Sequence, residues 1–150
     1  MMTLEKEIVQ SKFQSEGEKA IINIMYTNNF IISEVNGFFK SHHITRQQYN
    51  ILRILRGQYP NPSTINLLKE RMLDKMSDAS RIVERLRIKQ LIVRDTSSND
   101  RRAAEITISA AGLDLLEKMD GIVVKVNALV KNLSQDELVT LNKLLDKLRS

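Results

Sequence analysis

The sequence predicts a mainly helical chain interrupted by a single β-hairpin, with long helices at both ends. Three observations lead to that fold class. Apolar residues recur at helical spacing along most of the 150 residues, and only two prolines and five glycines interrupt them. The period changes once, where two short β-prone runs, 91–94 and 104–108, flank a turn-forming cluster. Two capping boxes, Thr45-Arg46-Gln47-Gln48 and Ser134-Gln135-Asp136-Glu137, mark helix starts on either side of that change.

From Ser15 to Lys40, the residues Ile21, Ile24, Met25, Ile32, Val35 and Phe39 form one face of a long first helix. Residues 1–14 repeat the pattern weakly through Leu4, Ile8 and Val9, either extending that helix or forming an arm. The box at Thr45 opens a second helix with Tyr49, Ile51, Leu52 and Leu55, and Gly57 is expected to close it in the left-handed conformation. Tyr59-Pro60-Asn61-Pro62 reads as an extended link. Ser63 is the expected cap of a short third helix holding Ile65, Leu67 and Leu68. A turn at Met72-Leu73-Asp74 leads to a fourth helix that reaches about Lys89, with Ala79, Ile82, Val83 and Leu86 facing inward.

The strands follow, separated by Thr96-Ser97-Ser98-Asn99-Asp100. Ser109 caps a fifth helix, in which Leu115, Met119, Ile122, Val126, Leu129 and Leu133 make an a/d seam over nearly three heptads. The last helix carries Leu138, Leu141, Leu145 and Leu148. Two terminal helices with wide apolar stripes and little else to cover them predict a homodimer. The chain therefore reads as a single domain over 1–150, with dimerisation helices at about 1–42 and 110–150 around a lobe at about 45–108.

Composition narrows the function. The chain has no cysteine, which excludes a disulfide framework, a thiolate metal site and a cysteine redox sensor. Its apolar runs are too short to span a bilayer, and its start carries acids rather than the apolar stretch of a secretory signal. The expectation is a soluble, cytoplasmic protein that does not act at a membrane. No Ser/His/Asp set, phosphate-binding glycine loop or metal motif is present, so neither an enzyme nor a metal or other cofactor is expected.

The net charge of +5 is unevenly placed. Arg81 to Arg102 holds seven basic residues against three acids, leaving 16 basic and 15 acidic residues elsewhere. Short helix, tight turn and second helix form a helix-turn-helix, whose second member can enter a major groove roughly 12 Å wide. The hairpin directly after it forms a wing. The excess charge falls on that helix and hairpin, as a phosphate backbone would select. Ser77, Ser80, Arg81 and Arg85 are expected on the outer face of the fourth helix, against DNA. Arg101 and Arg102 at the wing turn are placed to reach a neighbouring minor groove.

In this region the sequence resembles the MarR family of winged helix-turn-helix transcription regulators. The resemblance rests on Arg71-Met72-Leu73-Asp74-Lys75-Met76-Ser77-Asp78-Ala79-Ser80-Arg81-Ile82-Val83-Glu84-Arg85-Leu86 and on Leu91-Ile92-Val93-Arg94. The wing segment Asp100-Arg101-Arg102 and the run Ile106-Thr107-Ile108-Ser109-Ala110-Ala111-Gly112 continue it. It covers about Thr45 to Met119, while the flanking helices agree in position only. It implies a homodimer on a pseudo-palindromic operator in double-stranded DNA, repression as the usual mode, and in many members release by a small aromatic ligand. It also implies that one wing arginine pairs with Asp100 while the other meets the minor groove. Three features depart from the family pattern. Gln90 stands where glycine is common, the recognition helix holds the acids Asp78 and Glu84, and no cysteine is available for peroxide sensing.

Phe38, His42 and Arg46 are the candidate contacts of an effector pocket, with Arg46 able to pair an organic carboxylate. His42 and His43 are adjacent, so they cannot chelate a metal as an i, i+4 pair can; they form an exposed helix end or line that pocket. Met25, Tyr26, Phe30, Phe38 and Phe39 read as core or as a pocket wall. The competing function is a winged-helix module that binds protein without specific DNA recognition, whose recognition face would be neutral or apolar rather than basic.

Overall fold

A computed structural model describes residues 3–96 and 104–150, which divide into two compact units, Met1–His42 and His43–Ser150. In the first unit a single turn, α1 (Leu4–Glu7), precedes the long helix α2 (Glu16–Lys40). Ser15 starts α2 by accepting the Glu18 amide at 3.1 Å. The N-terminal segment is an arm and not an extension of α2, because residues 8–15 are non-helical and Val9 takes φ 54°. Lys19 of α2 meets Glu5 of α1 at 2.6 Å, and the Tyr26 hydroxyl donates to Glu7 at 2.5 Å. The Lys19 ammonium is the main reason the Glu5 carboxyl sits at about 2, well below its ordinary value. Ile21, Met25 and Phe30 of α2 are exposed.

The second unit is built on α3 (Arg46–Gln58), where the Thr45 capping box forms as expected: Thr45 accepts the Gln48 amide and Gln48 accepts the Thr45 amide, both at 3.1 Å. Ile51, Leu52 and Leu55 make α3 the centre of the core. Around it lie α4 (Ile65–Arg71), α5 (Ala79–Ile88), the antiparallel strands β1 (Ile92–Thr96) and β2 (Ala104–Ile108), and α6 (Ala110–Met119). α3 packs on α4, α5, α6 and β2. Leu68, Ala79, Val83, Leu86, Ile106 and Leu116 are fully buried. The hairpin register places Ile92 opposite Ile108 and Thr96 opposite Ala104.

Three expectations are corrected. Gly57 does not close α3 in the left-handed region, since no described glycine has positive φ. The helix ends instead where Tyr59 turns extended (φ −54°, ψ 136°), as the residue before a proline must. Ser63 is not the cap of α4. Its backbone pairs with Ile106 in both directions (2.8 and 2.9 Å), which adds a short rung to the hairpin and buries the side chain. Thr64 takes the cap, accepting the Leu67 amide at 3.2 Å.

The expected fifth helix is two helices, α6 and α7 (Ile122–Ala128), so the seam from Leu115 to Leu133 does not run along one continuous helix. The break falls at Asp120-Gly121, where Asp120 pairs with Arg56 of α3 at 2.9 Å and glycine is a poor helix former. Leu116, Met119 and Ile122 are buried there, with Leu115 only half-buried. The last helix, α8 (Gln135–Leu148), starts with the expected Ser134–Glu137 capping box. None of its residues is buried, and Leu141, Leu144 and Leu148 are exposed. Among the described residues no helix is long and apolar enough to cross a membrane.

The corner from α5 into β1 carries the strain foreseen at Gln90. The Leu91 amide donates to the Leu86 carbonyl (3.1 Å) and the Gln90 amide to that of Arg87 (2.9 Å), the paired bonds of a Schellman closure. Such a closure needs a left-handed residue at position 90, and Gln90 takes φ 60°. Gln90→Gly is therefore expected to stabilise the fold by about 1 kcal/mol, raising Tm by about 2–4 °C. A calorimetric scan at fixed protein concentration that shows no rise would contradict this.

Candidate nucleic-acid interface

The surface predicted to meet DNA is built by α4, the turn 72–78 and α5. Both helices anchor through buried side chains, Leu68 on α4 and Ala79, Val83 and Leu86 on α5, and they pack on each other and on α3. The residues between them are held by a dense set of bonds. Asp74 is the hub. Its carboxylate accepts from the Met76 amide (3.1 Å), the Ser77 hydroxyl (2.7 Å) and the Gln47 side chain of α3 (3.4 Å). These donors, Ser77 foremost, lower its carboxyl below the ordinary value. Asn50 of α3 accepts the Leu73 amide at 3.1 Å, and the Lys75 ammonium donates to the carbonyls of Lys69 and Glu70.

Asp78 caps α5 by accepting the Arg81 amide at 3.1 Å. This resolves one departure noted in the sequence: Asp78 lies before the helix as its N-cap, with its charge directed at backbone donors. It also corrects the placement of Ser77, which precedes the cap, is half-buried, and commits its hydroxyl to Asp74. It is therefore not on the outer face of α5. The second acid, Glu84, is clamped by Arg87 through two bonds of 3.0 and 2.8 Å, which hold its carboxyl below the usual range. The acids of the turn and of α5 are thus occupied internally.

Ser80, Arg81 and Arg85 are exposed, and the i, i+4 spacing puts the two arginines one turn apart on the same side of α5. Neither guanidinium forms an ion pair with another described residue. Asp100, Arg101 and Arg102 lie outside the described residues. Phe38 and His42 are half-buried in the first unit, and Arg46 is half-buried at the start of α3 in the second. His43 takes φ 56°, and its carbonyl accepts the Lys89 ammonium at 2.5 Å. Sequence reasoning missed the hub role of Asp74 and the exposure of Leu73 and Met76. The Asp-x-x-Ser spacing was a legible signal for the first.

A helix-turn-helix anchored on the core and followed by an antiparallel hairpin, with exposed arginines on the second helix, defines a winged helix-turn-helix protein. No family model matches the chain. Solved structures do. A MarR transcription factor from Planctomyces limnophilus is 26% identical over 90% of this chain and 98% of its own, with a TM-score of 0.69. A mutant MarR from E. coli complexed with operator DNA is 25% identical over 92% of this chain and 99% of its own, with a TM-score of 0.77. An organohalide-sensing transcriptional regulator in its 2,4-dichlorophenol-bound form is 21% identical and shares the fold over 99% of this chain and 88% of its own, with a TM-score of 0.80. In fold, and in about a quarter of its sequence, the chain is similar to MarR-type winged helix-turn-helix transcription regulators.

Proposed function

We propose that this protein is a sequence-specific DNA-binding transcription regulator that reads double-stranded DNA through α5. The observation that carries the reading is the charge arrangement. The acids of the turn and of α5 are occupied by internal donors, and Arg81 and Arg85 stand exposed on one side of a rigidly anchored helix. The solved complex of the E. coli relative with operator DNA supports the same use of the fold.

The finer reading follows the family. The protein acts as a homodimer, using the exposed apolar faces of α2 and α8, on a pseudo-palindromic operator. It represses, and a small aromatic ligand releases it. Release is a population shift toward a dimer whose recognition helices no longer match the half-sites. A reporter that stays repressed across a panel of benzoate- and phenol-type compounds would remove the effector from this reading.

Selection of bound sequences from a random DNA pool tests the function. The expected outcome is enrichment of two inverted half-sites with centres about 34–36 Å apart, bound by a species that sediments as a dimer. Recovery of unenriched DNA, or binding with a flat salt response, would favour a protein-interaction module instead.

A further inference from the structure

The turn before α5 holds two apolar side chains, Leu73 and Met76, that neither the fold nor the charge pattern uses, and Met76 is the more exposed and the nearer to α5. Met76 is 95% exposed, although its backbone is not loose: its amide is bonded to Asp74, and the residues on either side are tied to Asp74 and to the carbonyls of α4. A fixed backbone therefore carries a long, unbranched, polarisable side chain fully into solvent, two residues before the α5 cap. Met72, four residues earlier, is buried in the core, so the turn divides its methionines between inside and outside.

Single exposed apolar residues are ordinary on protein surfaces, and exposure alone assigns nothing. The setting does. Met76 follows Lys75 and precedes the helix that presents Arg81 and Arg85, while Asp74, Asp78 and Glu84 are spent on internal donors. A polyanion is the partner that charge complementarity favours here, rather than an apolar protein groove or a second copy of the same basic face. Inside a major groove the one apolar group on a base edge is the 5-methyl of thymine.

We propose that Met76 is a specificity residue that packs against a thymine 5-methyl group in the major groove, next to the bases reached from α5. This deepens the DNA-binding reading and rests on it. Burying one methyl against the thioether should be worth about fourfold in affinity. Because the Met76 backbone is already fixed, the contact has only the side-chain rotamers to order.

The test uses the full chain and the duplex selected from the random pool, with each thymine replaced in turn by deoxyuridine. This replacement deletes the methyl and leaves base pairing intact. The wild-type chain is expected to lose about fourfold at one thymine per half-site. Met76→Ala is expected to bind thymine and uracil duplexes equally at that position, with other positions unchanged. Arg81→Ala should keep the thymine preference. Equal wild-type affinity for all the uracil duplexes overturns the proposal, as does a thymine preference that survives Met76→Ala. In both cases the selected duplex is still bound specifically, so the DNA-binding reading stands. A chain that selects no sequence at all defeats that reading and this proposal together. Met76 makes no buried contact, so loss of fold in the variant is not expected; its circular dichroism and melting temperature should match the wild type.

Discussion

Gly112→Ala is expected to destabilise the protein by about 3 kcal/mol, at the upper end of what overpacking costs. A Cβ at position 112 would lie 2.2 Å from the Leu91 carbonyl oxygen and 2.7 Å from Cγ1 of Ile108. The oxygen belongs to the backbone and cannot swing aside. It accepts the Ser109 amide at 3.1 Å, and the Ser109 hydroxyl donates to the Gln90 carbonyl at 2.8 Å and accepts the Gly112 amide at 3.0 Å. Relief of the clash must therefore disturb the cap of α6, the end of α5 and the entry to β1 together. That corner holds α5 in place, so the variant should lose DNA binding in proportion to its loss of folded protein. Gly57→Ala is the matched control. Nothing lies within 4 Å of a Cβ there and the residue is helical, so alanine should be neutral or stabilising by about 0.5–1 kcal/mol. Urea denaturation of the three chains at one protein concentration decides the matter. A midpoint for Gly112→Ala equal to that of the wild type would refute the close packing at this corner.

Much of the fold was legible because its boundaries are marked by local chemistry. The boxes at Thr45 and Ser134 and the cap at Ser109 act over three residues, and the structure forms all three. The hairpin was legible from the change of period, and the core face of α5 from the spacing of Ala79, Val83 and Leu86. What the sequence hid depends on partners distant in the chain. Ser63 and Thr64 are equally good caps, and only the pairing of Ser63 with Ile106, 43 residues away, decides between them. The heptad spacing from Leu115 to Leu133 was read as one helix because the ion pair of Asp120 with Arg56 cannot be seen from spacing. On α5, the exposure of Arg81 and Arg85 was legible from their register. The roles of Asp78 and Glu84 were not, because the same two acids would repel phosphate if the N-cap and the Arg87 clamp were absent.

The assignment of α5 as the reading head rests most heavily on Arg81, which is exposed, has no ion-pair partner among the described residues, and lies on the first turn after the cap. Base contacts specify, while phosphate and narrow-groove contacts mainly supply affinity. Arg81→Ala is therefore expected to cost about 1–3 kcal/mol on the selected operator and much less on random DNA. Arg101, in the chain that joins β1 to β2 and outside the described residues, is the comparator. Arg101→Ala should weaken both DNAs evenly and reduce the salt slope by about one unit. The deciding measurement is the affinity of Arg81→Ala for operator and random duplexes across a salt series, with the oligomeric state checked at each point. A loss confined largely to the operator is the result that a reading head at α5 predicts. Equal losses on the two DNAs would contradict it and would leave α5 as a source of charge alone.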